Sequence, residues 1–120
     1  MTVSGPDFVS LQVRDIARSA AFYEQYLGLR RQPGPPHAVV FDTKPAAFAV
    51  RSPLPGLDLD AGALGRGIGV WMHAPESRKI HEALVADGVT IASELTEGPF
   101  GWTFTFADPD GYLITLHDRA

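Results

Sequence analysis

One pattern occurs twice along this chain, and it restricts the fold more than any other feature. Val9, Leu11 and Val13 are apolar at alternate positions with Ser10, Gln12 and Arg14 between them, the period of a half-buried strand. Asp15 then supplies an N-cap, and Ile16, Ala20, Tyr23 and Leu27 continue at helical spacing to Gly28, a residue suited to a C-terminal cap. In the second copy Ile68, Val70 and Met72 alternate with Gly69, Trp71 and His73. Pro75 is tolerated in a first helical turn, and Ile80, Leu84 and Val85 form an apolar stripe that stops at Gly88. Val9 to Gly28 spans 19 positions and Ile68 to Gly88 spans 20, so two units of nearly equal pitch lie in tandem. An internal duplication follows. The expected architecture is α+β: one domain over residues 1–120, with a module at about 7–52, a Pro-, Gly- and Asp-rich linker at 53–66, and a second module at about 67–118.

Each strand–helix unit is followed by further strand signals. Residues 38–41 and 46–51 supply two in the first half, and residues 89–92, 102–106 and 113–116 supply three in the second. Asp108-Pro109-Asp110-Gly111 has the residue order of a tight turn, so its two carboxylates are expected to hold backbone rather than do chemistry. Phe22 and Tyr23 on the first helix, and Phe104 and Phe106 on a late strand, read as packing residues.

Composition removes several function classes. The 120 residues are 45% apolar and 20% charged, ordinary for a globular chain. With no cysteine, neither a disulfide nor a Cys-type zinc site can form. A net charge of −4, with basic residues dispersed apart from Arg30-Arg31, argues against nucleic acid as a partner. No leader-like start and no run of about 18 apolar residues is present, so the expectation is a soluble, cytoplasmic protein with no membrane partner.

Val13-Arg14-Asp15, the segment from Ser19 to Tyr23, Leu27-Gly28-Leu29 and the run from Phe104 to Tyr112 resemble the vicinal oxygen chelate superfamily. That family includes glyoxalase I, extradiol dioxygenases, and fosfomycin and bleomycin resistance proteins. The resemblance implies two tandem βαβββ modules whose sheets curve into an open, U-shaped cleft, usually in a homodimer. It also supplies a short second strand near Arg30. Metal-using members hold a divalent ion from four strand positions, which fall here on Phe8, Ala49, Gly67 and Thr115. None is a His, Glu, Asp or Gln, and a divalent ion needs nitrogen or charged-oxygen donors, so no metal and no cofactor is expected. A metal site relocated to His73, His117 and a carboxylate is the alternative; His37 and His81 read as surface residues.

The sheet face opposite the helices is expected to collect Phe8, Ser10, Gln12, Gly67, Gly69, Trp71, His73, Thr115 and His117. Core filling by Trp71 is the plain reading, but glycines at 67 and 69 leave volume beside the indole, and Trp102 and Phe100 sit on a Gly-containing approach, Glu97 to Gly101, that reads as a mobile rim. An apolar slot with a few polar groups suits a small molecule. Arg51 is either a solvated strand-end residue or a partner for an anionic ligand. No nucleophile stands beside a base and no phosphate cradle occurs, so no catalytic residue is assigned. The expectation is a metal-free protein that sequesters an aromatic or amphipathic small molecule. The alternatives are a metal-dependent or His-assisted lyase or dioxygenase, and a structural dimer without a small ligand.

Overall fold

In each half of the molecule the first strand pairs with the last. The computed structural model describes residues 1–119. They form two compact units, one spanning Met1–Leu59 and a second that begins at Asp60. Unit one runs β1 (Phe8–Gln12), α1 (Ile16–Leu27), β2 (Arg31–Gln32), β3 (Ala38–Phe41), β4 (Ala47–Arg51). Unit two runs β5 (Val70–His73), α2 (Ser77–Ala86), β6 (Ile91–Gly98), β7 (Gly101–Ala107), β8 (Leu113–His117). Each unit has a four-stranded mixed sheet, of order β1-β4-β3-β2 and β5-β8-β7-β6 respectively. The fold is α+β, and the same βαβββ topology is built twice. Among the described residues, no helix is long and apolar enough to cross a membrane.

Helix α1 forms where capping and spacing agree. The Asp15 carboxylate accepts from Arg18 N at 3.1 Å, and Gly28 takes the left-handed conformation (φ 67°) that closes the last turn on the Glu24 and Tyr23 carbonyls. Its apolar stripe packs on one sheet face, with Tyr23 fully buried and its ring 5.0 Å from that of Phe48 and 6.3 Å from that of Phe41. In unit two the corresponding layer is Leu84 against Phe104, Phe106, Ile114 and Leu116, all buried. Ser77 Oγ donates to Trp102 O at 2.9 Å and fixes the start of α2 on β7.

The short strand β2 is held to α1 by Arg31, whose guanidinium donates to both carboxylate oxygens of Glu24 at 2.8 and 3.1 Å. That hydrogen bond holds the Glu24 carboxyl below its ordinary value of 4.5. A carboxyl lowered in this way stabilises the fold above the unfolded-state value and loses that contribution as pH falls through the folded-state one.

Several element boundaries differ from the sequence expectation. Strand β5 begins at Val70, so Gly67 and the exposed Ile68 lie ahead of it. Pro75 precedes α2, which starts at Ser77 after Glu76 and ends at Ala86 before the cap Asp87. Strand β6 runs to Gly98, well beyond residue 92, because irregular register at 91/93 and 93/96 lets it bend while staying paired with β7. Part of the 53–66 segment is folded onto unit one: Leu54 N donates to Gln12 Oε1 at 2.8 Å, and Arg14 Nη2 donates to the carbonyl of Leu59 at 2.8 Å.

The turn between β7 and β8 is organised by Asp108. Its carboxylate accepts from Asp110 N and Tyr112 N, both at 2.9 Å, while its carbonyl accepts from Gly111 N at 3.0 Å. Asp108 is buried, so deleting the carboxylate strands two amides. Asp108→Ala is expected to lower stability by about 2–3 kcal/mol, and Asp108→Asn by less because one oxygen remains. Urea denaturation midpoints at constant slope measure both.

Candidate functional site

The parallel β5–β8 pair sets Trp71 opposite Thr115 and His73 opposite His117. Alternation turns these four away from α2, while Val70, Met72, Ile114 and Leu116 point toward it. Trp71 is 53% exposed, an unusual state for so large a side chain. The ring of His117 lies 5.8 Å from the indole and 5.7 Å from the ring of His73. A Cβ added at Gly69 would stand 3.3 Å from Trp71 Nε1, so the glycine leaves the edge of the indole open.

A fourth ring completes the group. Phe100 is 55% exposed and lies edge-on to Trp71 at 5.7 Å, and 6.1 Å from His117. The segment expected to be a mobile rim is a tight hairpin: Gly98 pairs with Gly101, leaving only Pro99 and Phe100 at the tip. The tip is tied to the end of β8, with Trp102 N donating to Asp118 Oδ1 at 2.8 Å and Arg119 N donating to Phe100 O at 3.0 Å.

The polar groups beside the rings are oriented by backbone. His117 Nδ1 is 3.0 Å from Arg119 O, and His73 Nε2 is 3.3 Å from Asp118 O. A ring nitrogen facing a carbonyl must carry the hydrogen, so in the neutral rings His117 Nε2 and His73 Nδ1 are left as acceptors. Thr115 is buried at the base of this face, its hydroxyl shared with Thr105 at 2.7 Å. The face therefore offers aromatic area with hydrogen-bond acceptors and no fixed charge among these rings.

Not every expected site residue is here. Trp102 falls on the opposite face, aligned with Phe104 and Phe106, and the Arg78 guanidinium of α2 covers its ring at 5.2 Å. The reason is parity: Trp102 lies two positions before Phe104, so it shares the core-facing side. Phe8, Ser10 and Gln12 lie in unit one, on its sheet face away from α1, opposite Ala47, Ala49 and Arg51. Gln12 is engaged with Leu54 N, as described above. His81 is half-buried rather than a surface residue, edge-on to Phe104 at 4.9 Å, because α2 turns it inward. Phe100 is the member of the ring group that periodicity places least well, since the tip of a hairpin has none.

The register of the two units can be compared directly. Val13 N donates to Arg51 O and Ala74 N donates to His117 O, each at 2.8 Å, so Gln12 corresponds to His73, Ser10 to Trp71 and Phe8 to Gly69. The position equivalent to Phe8 is thus Gly69 rather than Gly67, a shift of two residues that keeps the same face. Phe8, Ala49, Gly69 and Thr115 offer a phenyl ring, a methyl group, no side chain and a hydroxyl already shared with Thr105. This set does not suit a divalent ion. Among the described residues, no group of three or more His, Cys, Asp or Glu is arranged to hold a metal ion.

The hairpin makes one position testable. Gly101 has φ 80°, and a Cβ there would run into Asp118 Oδ1, the acceptor that ties down the tip. Gly101→Ala is expected to cost about 1–3 kcal/mol through the left-handed backbone alone. It should also raise acrylamide quenching of Trp71, measured in a Trp102→Phe background, as Phe100 loses its anchor.

Comparison with known proteins agrees with this architecture. The family model for the Glyoxalase/Bleomycin resistance protein/Dioxygenase superfamily matches residues 5–116. Among solved structures, TnmS3, an antibiotic binding protein from a Streptomyces species, superposes with a TM-score of 0.71 at 22% identity, covering 100% of this chain and 99% of that one. UcmS2 gives 0.75 at 26% identity, with 98% and 99% covered. A mutant of the fosfomycin resistance protein FosX from Listeria monocytogenes, complexed with Mn(II), gives 0.73 at 19% identity, with 99% and 93% covered. No curated protein matches the chain. With a family match over nearly its whole length and the βαβββ unit built twice, the chain belongs to the Glyoxalase/Bleomycin resistance protein/Dioxygenase superfamily.

Proposed function

We propose that the protein binds a planar aromatic or amphipathic small molecule on the unit-two sheet face, with Trp71 as the main stacking surface and no metal ion. The observation that carries this reading is an indole more than half exposed, with Phe100 and His117 beside it and a glycine at its edge. Large exposed aromatic area is costly to leave in water unless a ligand covers it, and offset stacking adds about 0.5–1.5 kcal/mol beyond burial. His117 Nε2 and His73 Nδ1 would accept from a hydroxyl or N–H on the guest, which favours phenolic over fully alkylated compounds. That TnmS3 is described as an antibiotic binding protein supports a small-molecule role within this fold. The competing reading is a lyase or dioxygenase that uses either a metal ion, for which the four inferred positions lack suitable donors, or a histidine such as His73 as acid or base.

Tryptophan fluorescence during titration with a panel of planar natural products tests the reading. Trp71→Ala is expected to weaken any saturable binding by about tenfold or more. Gly69→Leu, which adds bulk against the indole edge, should do the same. Unchanged affinity in either variant refutes the assignment. Elemental analysis after dialysis is expected to find no stoichiometric divalent metal, and about one tightly held ion per chain would favour the enzyme.

We further propose a homodimer. Each open sheet has edge strands, and Phe8, Trp71, Phe100 and Leu113 are large exposed apolar residues. Twofold pairing is the commonest closed solution. Sedimentation at micromolar concentration should give the mass of two chains, and a monomer contradicts it.

A further inference from the structure

We propose that unit one carries a pocket for a small organic acid, in which Arg51 pairs with the carboxylate and the apolar walls hold the hydrocarbon body. It rests on residues of the unit-one sheet and its loop, and on none of the rings around Trp71.

The pocket is built from the face of the β1-β4-β3-β2 sheet that turns away from α1. Phe8, Ser10, Ala38, Val40, Ala49 and Arg51 form its floor, and the loop from Gln32 to His37 forms its wall, enclosing about 350 Å³. That volume lies within the usual range for small-molecule sites. The wall is preformed. Pro33 and Pro35 restrict the loop backbone, Gly34 lies so close to β3 that an added Cβ would be 3.0 Å from Val40 Cγ2, and the His37 carbonyl accepts from Ser52 N and Oγ at 3.0 and 3.2 Å. Ordering the loop is thus largely done before a ligand arrives, which lowers the cost of binding.

Charge then selects the guest. Arg51 is the one Lys or Arg in the lining and no Asp or Glu accompanies it, so its charge is uncompensated within the pocket. Its Nε donates to Ser52 O at 3.0 Å, which orients the guanidinium and leaves the two Nη groups for an acceptor. A half-buried guanidinium beside apolar walls pairs strongly with a planar carboxylate, through parallel charge-assisted hydrogen bonds. A dianionic phosphate would need a second cation, which the lining lacks. The small residues Ala38 and Ala49 leave room for a flat hydrocarbon, and Ser10 and His37 add polar contacts at the edge.

The test compares 2-naphthoate with the neutral 2-naphthamide by calorimetry and by amide chemical shifts in the native protein, Arg51→Gln, Arg51→Lys and the surface control Lys44→Gln. The native protein and Lys44→Gln are expected to prefer the carboxylate by about tenfold or more, with shifts at Ser10, Ala38 and Ala49. Arg51→Gln should abolish the preference while its spectrum stays folded, and Arg51→Lys should retain part of it. Equal affinity for acid and amide in the native protein overturns the proposal. So does an unchanged preference in Arg51→Gln, a set of shifts confined to unit two, or no binding of naphthoate at millimolar concentration.

Discussion

Everything that positions chemistry in this protein depends on the parallel pairing of the first and last strands of each unit. Two strands that run the same way cannot be joined by a tight turn, so the chain must cross over, and in both units the crossover begins with a helix packed on one sheet face. The helix consumes that face as core. The other face is left to whatever residues alternate outward, and it is there that Trp71 meets Thr115 and Phe8 meets Ala47. The pairing also brings together residues more than forty positions apart, such as His73 and His117, which local sequence could never juxtapose.

The repeated scaffold carries two different surfaces. By register, Ser10, Gln12, Ala49 and Arg51 of unit one correspond to Trp71, His73, Thr115 and His117 of unit two. Unit one sets a single cation above small apolar residues, and unit two sets aromatic rings beside imidazole acceptors. Duplication preserved the backbone hydrogen bonds, which depend on no particular side chain, while the outward positions diverged without cost to the core. The core itself shows the opposite behaviour: Tyr23, Phe41 and Phe48 in one unit, and Leu84, Phe104 and Phe106 in the other, are apolar and buried on the helix side.

Legibility followed the range of the interactions. Asp15, Gly28 and the Asp108 turn were readable because capping and turn bonds connect residues within a few positions. The face shared by Trp71, His73, Thr115 and His117 was readable because alternation in a strand is a fixed period. Trp102 was misplaced on the same evidence, since its alternation with Phe104 already assigned it to the core-facing side, and only its glycine-containing neighbourhood suggested a rim. Gly67 was taken for a strand position because the alternation of Ile68, Val70 and Met72 starts before the backbone pairs with β8.

The sequence alone determined that this chain repeats a strand–helix–strand unit, which face of each strand is apolar, and that the inferred metal positions lack donors. These are properties of periodicity and side-chain chemistry. Tertiary structure decided what those periods could not carry. The hairpin tip that brings Phe100 to Trp71 is held by Asp118, sixteen residues beyond its Trp102 partner. The pocket that encloses Arg51 exists because a proline-bounded loop folds back onto β3 and is fixed there by Ser52. Both depend on contacts between segments that only the assembled sheet brings within hydrogen-bonding distance, and such contacts leave no period in the chain.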